Sequence, residues 1–289
     1  MKKNTKWVVL FLLPGVALFA FVFLSTLVTL FVTSFTDWAV GKDMTFVGLK
    51  NYIYLFTEDE NFIQSVKNTI IWIVLQSVFH VFIGVVVALL ISKKKWYSSA
   101  MRTIFFVPNI ISSAALGILF LCIMNPQFGL VNNIITKLTG STFSHNWFMD
   151  PKTAFVSVTL TWLPYAGLVT ILVLAEMSSI SEDVYEAAMI DGATKLQTDI
   201  YIVLPLMRNI IGTSTVLAAT SMLQKLDIIM MTTSGGPGNK TMNMPMYLYK
   251  TVFTNNNYGL ANAQGVLLIL LGAVVLVFIR KMYKMDKED

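Results

Sequence analysis

Long stretches of this chain carry no charged side chain. Residues 7–36, 68–92, 153–175 and 251–279 contain no Asp, Glu, Lys or Arg. Such a stretch can fold in few ways. In water it must be wrapped by polar segments, yet 13% of the sequence is charged and 55% hydrophobic. A soluble domain carries about 25% charged residues. In a bilayer the stretch has only to satisfy its own backbone, and a helix does that within one segment. A helix rises about 1.5 Å per residue, so roughly 20 apolar residues cross the hydrocarbon core. Each of the four is long enough. A membrane barrel would show alternating strands of about 10 residues instead, a pattern this sequence lacks. The fold class is therefore all-α, a polytopic membrane protein.

Six spans fit, over 8–33, 68–92, 103–124, 153–175, 207–231 and 261–279. No soluble domain separates them, so residues 1–289 read as one transmembrane domain. The opening apolar stretch exceeds the roughly 7–15 residues of a signal-peptide core and reads as a retained first span. Lys and Arg set the orientation. Thirteen flank the spans on the side of both termini, among them Lys2, Lys3, Lys6, Lys93, Lys94, Lys95, Arg280 and Lys287. Seven lie on the other side, over longer loops. Both termini are thus expected in the cytoplasm. The net charge of +5 does not point to nucleic acid, because the basic residues flank apolar runs rather than form an interleaved patch. Trp7, Trp38, Trp96, Trp147 and Tyr283 fall near span ends, where aromatic rings anchor at headgroup level. Pro14, Pro108 and Pro164 lie within spans and can kink them. Cys122, the single cysteine, excludes an internal disulfide and is expected as a small buried hydrophobe.

Between spans four and five the sequence turns polar. Residues 178–206 include "EAAMIDGATKLQTDIYIVLPL", from Glu186 to Leu206. Ser179-x-x-Glu182 has the form of a capping box. Glu182 and Asp183 suit the positive end of a helix dipole. Val184, Ala187, Ala188 and Asp191 are spaced to share one small, flat helical face. Gly192 is placed to end the helix in the left-handed conformation. A second stretch runs from Thr194 to Ile202, and Pro205 precedes span five, where its missing donor costs little. This is a short cytoplasmic helix. Helices resting on headgroups usually carry Lys and Arg on one face and large apolar residues on the other. An acidic helix with an alanine face suits a protein partner better.

The spacing also resembles a known signature. Glu186-Ala187-Ala188, then Gly192, then Ile202-x-Leu204-Pro205 is similar to the EAA motif of permease subunits in bacterial ABC importers, at every fixed position and both gaps. "YEAAMIDGA" (185–193), "TSGGPGNKTMNMPMYLYKTVF" (233–253), "YGLANA" (258–263), "FGLVNN" (128–133) and "TWLPYAG" (161–167) resemble the carbohydrate-type branch. Ser181 departs from it, standing where the family usually has Pro. The resemblance implies one permease subunit forming half of a translocation path for a sugar or oligosaccharide, in a bacterial cytoplasmic membrane. Its implied partners are a second homologous permease subunit, two ATPase subunits, an extracellular solute-binding protein and membrane lipid. It implies a coupling helix in which Glu186 contacts the ATPase, Ala187 and Ala188 allow close packing, and Gly192 makes the turn, with Asp191, Leu204 and Pro205 at matching positions. The chain itself would be no enzyme and hold no cofactor. ATP and Mg would be used by the ATPase subunits.

Other candidates are fewer. Lys225 and Asp227 fall inside the predicted fifth span. Ionisable residues at that depth line a water-filled path or pair within a bundle, and an interfacial position is the alternative. Gln76 and His80, one turn apart in span two, suit a hydrogen bond to a neighbouring helix better than solute contact. "GGPGNKT" (235–241) lacks the contiguous Gly-Lys-Ser/Thr of a phosphate loop and reads as an outer turn. No catalytic constellation or metal-ligand spacing is present in the sequence. A stand-alone secondary transporter remains the rival, and it would more often show ionisable residues near mid-membrane.

Overall fold

A computed structural model describes residues 5–93 and 95–285. Lys2, Lys3, Lys94 and Lys287 lie outside the described residues. Among the described residues the regular structure is helical, and the β-type pairings are isolated bridges, Thr36 with Phe46 and Ala39 with Asn257. Two compact units are distinguishable, one comprising the residues up to 60 with 248–270, the other 61–247 with 271 onward.

The smaller unit is built on α1 (Thr5–Thr33). None of its most apolar window is buried, so in a membrane its side chains face lipid or a partner. Pro14 lies inside α1 without breaking it. The turn after α1 is tied by side chains. Asn51, in α2 (Lys50–Thr57), donates to the carbonyls of Ser34 and Thr36 at 2.9 and 2.8 Å. Asn262 donates to the Thr33 hydroxyl at 2.6 Å. The Thr45 hydroxyl and backbone N–H both donate to Asp37 and hold its carboxyl below the usual carboxylate range.

The larger unit holds α3 (Glu60–Ser92), α4 (Ser98–Asn109), α5 (Ser113–Ile123), α6 (Leu130–Thr139), α7 (Ala154–Leu160), α8 (Gly167–Met177), α9 (Glu182–Ile190), α10 (Lys195–Leu206), α11 (Arg208–Ser221) and α12 (Asp227–Thr232). Two helices bridge the division of the chain, α13 (Met244–Phe253) and α14 (Tyr258–Tyr283). Of the six expected spans, the first, second and last are continuous. Among the described residues α1, α3 and α14 are long and apolar enough to cross a membrane. The other three are interrupted. α4 and α5 meet at 112°, just after Pro108. α7 and α8 are separated by a tight turn, Leu163–Ala166, that contains Pro164. α10 and α11 meet at 70° at Met207, and α11 and α12 are separated by the non-helical run 222–226. A count of six straight helices therefore does not describe this chain.

Two apolar clusters hold the larger unit together. In one, Trp72 stacks on Phe155 at 4.6 Å, meets Trp162 edge-on at 4.7 Å, and donates its indole N–H to Thr159 at 2.9 Å. In the other, α3 and α8 lie so close that a Cβ on Gly84 would come within 2.5 Å of Val169 Cβ. Small residues allow this approach between membrane helices. The Thr170 hydroxyl, donating at 3.1 Å to the Gly84 carbonyl, crosses the same contact. Two of the aromatic residues near span ends make internal hydrogen bonds, Trp147 to Asn132 and Tyr283 with Thr215.

Cys122 corrects its expectation, since it is exposed. Hydrophobic burial is driven by water, and an apolar side chain facing lipid gains nothing by turning inward.

Candidate functional site

The segment 178–206 folds as a capped helix, a turn and an elbow. α9 begins at Glu182, with Ser181 extended at the N-cap and no side-chain cap bond. The Ser179-x-x-Glu182 box does not form, because the Ser179 hydroxyl donates to the Glu176 carbonyl instead. Glu182 and Asp183 do occupy the first turn, where the dipole favours acids. Gly192 takes φ +79°, as its position predicts. Its N–H bonds the Met189 carbonyl at 3.1 Å, and the Ala193 N–H reaches Ala188 at 2.9 Å. That pair of bonds is a Schellman end and satisfies two otherwise orphaned carbonyls.

A capping box does exist two residues further on. Gln197 accepts from the Thr194 N–H at 2.8 Å, and Thr194 accepts from the Gln197 N–H at 3.4 Å. Thr194-Lys-Leu-Gln197 carries the necessary spacing in plain view. It therefore opens α10, which widens into a π-turn over Asp199–Val203 before the bend at Met207. Pro205 accordingly lies next to a bend and not at the start of a straight span.

The expected small face is divided. Glu186, Ala187 and Asp191 are exposed, whereas Ala188 is 3% exposed and packs inward. Leu204 is half-buried in the apolar cluster with α3 and α8, together with Val203 and Met207. Beside Glu186 the outer surface is apolar, with Met189, Ile190, Leu196 and Tyr201 all exposed. Periodicity alone did not reveal these residues, which sit among polar neighbours. Tyr185 is half-buried, and burial together with the charge of Asp199 pushes its phenol above the ordinary value.

A second group of polar residues gathers where the helices are interrupted. Gln76 and His80 are buried on a π-turn in α3. His80 lies beside the Tyr165 backbone and within range of the Lys225 charge. Lys225 Nζ sits 4.1 Å from the centroid of the Tyr165 ring. Asp227 opens α12 and accepts from the Ser113 hydroxyl at 2.6 Å. Lys225, in the non-helical run, and Asp227 thus have different nearest partners. Asn243 donates to the Lys225 carbonyl at 2.6 Å and supports the non-helical run. Tyr165 and Ser113 were not singled out by sequence, since neither carries a charge and their nearness depends on the helix breaks. The loop after α12 is tied down by side-chain hydrogen bonds. Ser234, Gly235, Gly238 and Asn239 are all left-handed. Asn68 donates to the carbonyls of Lys240 and Met242 at 3.0 and 2.7 Å, and Asn239 donates to Asn61 at 2.6 Å. A helix, not a strand, precedes it, so it is not a phosphate loop.

Among the described residues, long apolar helices, interrupted spans and polar side chains gathered near the breaks, with Gln76 and His80 buried, Lys225 half-buried and Asp227 exposed, fit a multi-pass membrane transport protein. Comparison with known proteins agrees. Residues 80–284 match the family described as "Binding-protein-dependent transport system inner membrane component". The probable ABC transporter permease protein YurN of Bacillus subtilis (strain 168) is 30% identical over 285 residues, covering 97% of each chain. The probable starch degradation products transport system permease protein AmyD of Thermoanaerobacterium thermosulfurigenes is 29% identical over 288 residues, 99% of this chain and 96% of that one. A solved bacterial ABC transporter that imports the acidic polysaccharide alginate contains a chain of the same fold. It has a TM-score of 0.84 at 23% identity, covering 99% of this chain and 98% of that chain. The chain belongs to the binding-protein-dependent transport system inner membrane component family and is a transport permease.

Proposed function

We propose that this chain is one of two homologous permease subunits of an ATP-driven importer. Residues 1–289 form its membrane domain, and the segment 178–206 faces the cytoplasm with both termini, in the cytoplasmic membrane of a bacterium. There it docks an ATPase subunit, which uses ATP and Mg. A solute-binding protein delivers the solute from outside. The observation that carries this reading is the full EAA spacing on a largely exposed segment whose first helix ends at a left-handed Gly192 and whose second opens in a capping box. Glu186 is offered to the partner for a charge-assisted hydrogen bond. Ala187 allows close approach, and the exposed Met189 and Ile190 supply apolar contact. Ala188 and Leu204 hold the segment from behind, Gly192 makes its turn and Pro205 lies beside its bend. ATP-driven closure of the ATPase pair would displace α9 and expose the path alternately to each side.

His80, Lys225 and Asp227, with Gln76, line the solute path in this reading. Support comes from their gathering at the helix breaks, because irregular backbone at membrane depth is tolerated where it lines a cavity or is buried in protein. The solute is a sugar or oligosaccharide, a reading supported by the names of relatives such as the starch-degradation-product permease.

Tagged protein isolated from its native membrane should carry an ATPase subunit and a second permease; isolation of the chain alone overturns the reading. Glu186→Lys should insert normally and lose ATPase association or transport, while unchanged uptake excludes Glu186 from the coupling role. A secondary transporter would instead move solute as purified protein without ATP.

A further inference from the structure

One ion pair lies at the junction of three helices. Lys93 Nζ is 3.3 Å from Asp199 Oδ2, and the two side chains are 34% and 15% exposed. Lys93 caps the C-terminal end of α3, where a cation also meets the negative end of the helix dipole. Asp199 opens the π-turn of α10. Tyr185 of α9 packs against the apolar cluster that includes Val203 of α10. Side chains therefore connect α9 to α10, and α10 to α3, across a sequence separation of more than 90 residues.

The apolar side of this junction is equally continuous. Val203 and Met207 pack in one cluster with Val81, Val85 and Ala88 of α3 and with Val169 and Val173 of α8. From Lys93, α3 runs back to the π-turn that holds His80 and Gln76. A fully exposed ion pair contributes about 0–1 kcal/mol and is readily lost. Here Asp199 is the more withdrawn partner, so removing Lys93 leaves a poorly solvated carboxylate, whereas Lys93 keeps about a third of its side chain in water.

We propose that Lys93 and Asp199 form a latch that makes α9 and α10 move as one body with α3, passing displacement of the docking segment to the π-turn at Gln76–His80. Both are positioning residues and touch neither solute nor nucleotide. What drives the displacement rests on the importer reading.

The test uses the whole importer with its binding protein in proteoliposomes, with solute uptake and ATP hydrolysis measured on the same preparation. Lys93→Glu and Asp199→Lys are made singly and together. Each single reversal should lower the solute moved per ATP by about fivefold or more, the lower range of measured couplings between sites. ATPase subunits should still co-purify, and hydrolysis should persist. The double reversal should restore the ratio. Single reversals at the wild-type ratio, or a double reversal no better than the singles, would overturn the latch. Should a reversal fail to insert, Lys93→Gln and Asp199→Asn serve instead, and a wild-type ratio in both overturns it. Absence of ATPase from the wild-type preparation strikes the importer reading, not the pair. The pair is then judged on thermal midpoint in detergent, where the double reversal must recover what the singles lose.

Discussion

Pro14 sits in the first half of α1, and the helix runs through it from Thr5 to Thr33. Pro205 sits two residues before a point at which the chain turns through 70°. A proline deletes a backbone donor in both places. The difference lies in what surrounds it. α1 buries no side chain along its apolar window, so no surrounding core holds a sharper turn in place there. Around Pro205 the bend is fixed from several directions. Met207 is fully buried and its N–H reaches the Val203 carbonyl at 3.0 Å. Asp199 is tied to Lys93. A helix that meets lipid stays straight, and one that meets other helices can be broken where they hold the break.

The sharpest way to break that comparison is to remove packing. Trp72→Ala should destabilise by about 3–5 kcal/mol, because the ring is buried between Phe155 and Trp162. Phe11→Ala in α1 should leave the thermal midpoint in detergent almost unchanged, since Phe11 is 77% exposed. Equal shifts in the two variants would refute the contrast. Overpacking comes next. A Cβ on Gly167 would fall 1.9 Å from the Phe105 carbonyl oxygen, so Gly167→Ala must push α8 away from α4, at a cost of about 1–3 kcal/mol. A thermal midpoint equal to wild type would show that the contact yields. Thr194→Ala removes the cap of α10 and should cost about 1 kcal/mol, read as faster hydrogen exchange over 195–198. The smallest effect is expected at Gly15, where an added Cβ meets nothing within 4 Å. Gly15→Ala should change stability by less than about 0.5 kcal/mol.

The same contrast explains what the sequence discloses. Charge-free runs reveal which segments enter a membrane, because a charge in lipid is costly whatever the fold. They do not reveal which face packs. Cys122 and Ala188 are both small and apolar, yet one is exposed and the other buried. The turn within the polar segment 178–206 was legible because its residues answer a local demand. Gly192 does so most directly, through its left-handed φ. The Asp199–Lys93 pair was not legible, since the two residues meet only after α10 widens and bends. Nor was the π-turn at Gln76–His80, whose residues read as ordinary helix. Pro108 and Pro14 look alike in sequence until Ser112 is noticed. Its hydroxyl accepts from Ala115 and starts α5 afresh.

The loop after α12 carries a thermodynamic consequence. Asn68 clasps two of its carbonyls, and four of its residues already hold left-handed conformations. Ordering a residue costs about 1–2 kcal/mol, and here folding has met that cost in advance. A molecule that lands on this loop meets a finished surface. Calorimetry of such an encounter should register buried area alone, without the large unfavourable entropy that accompanies a segment folding as it binds.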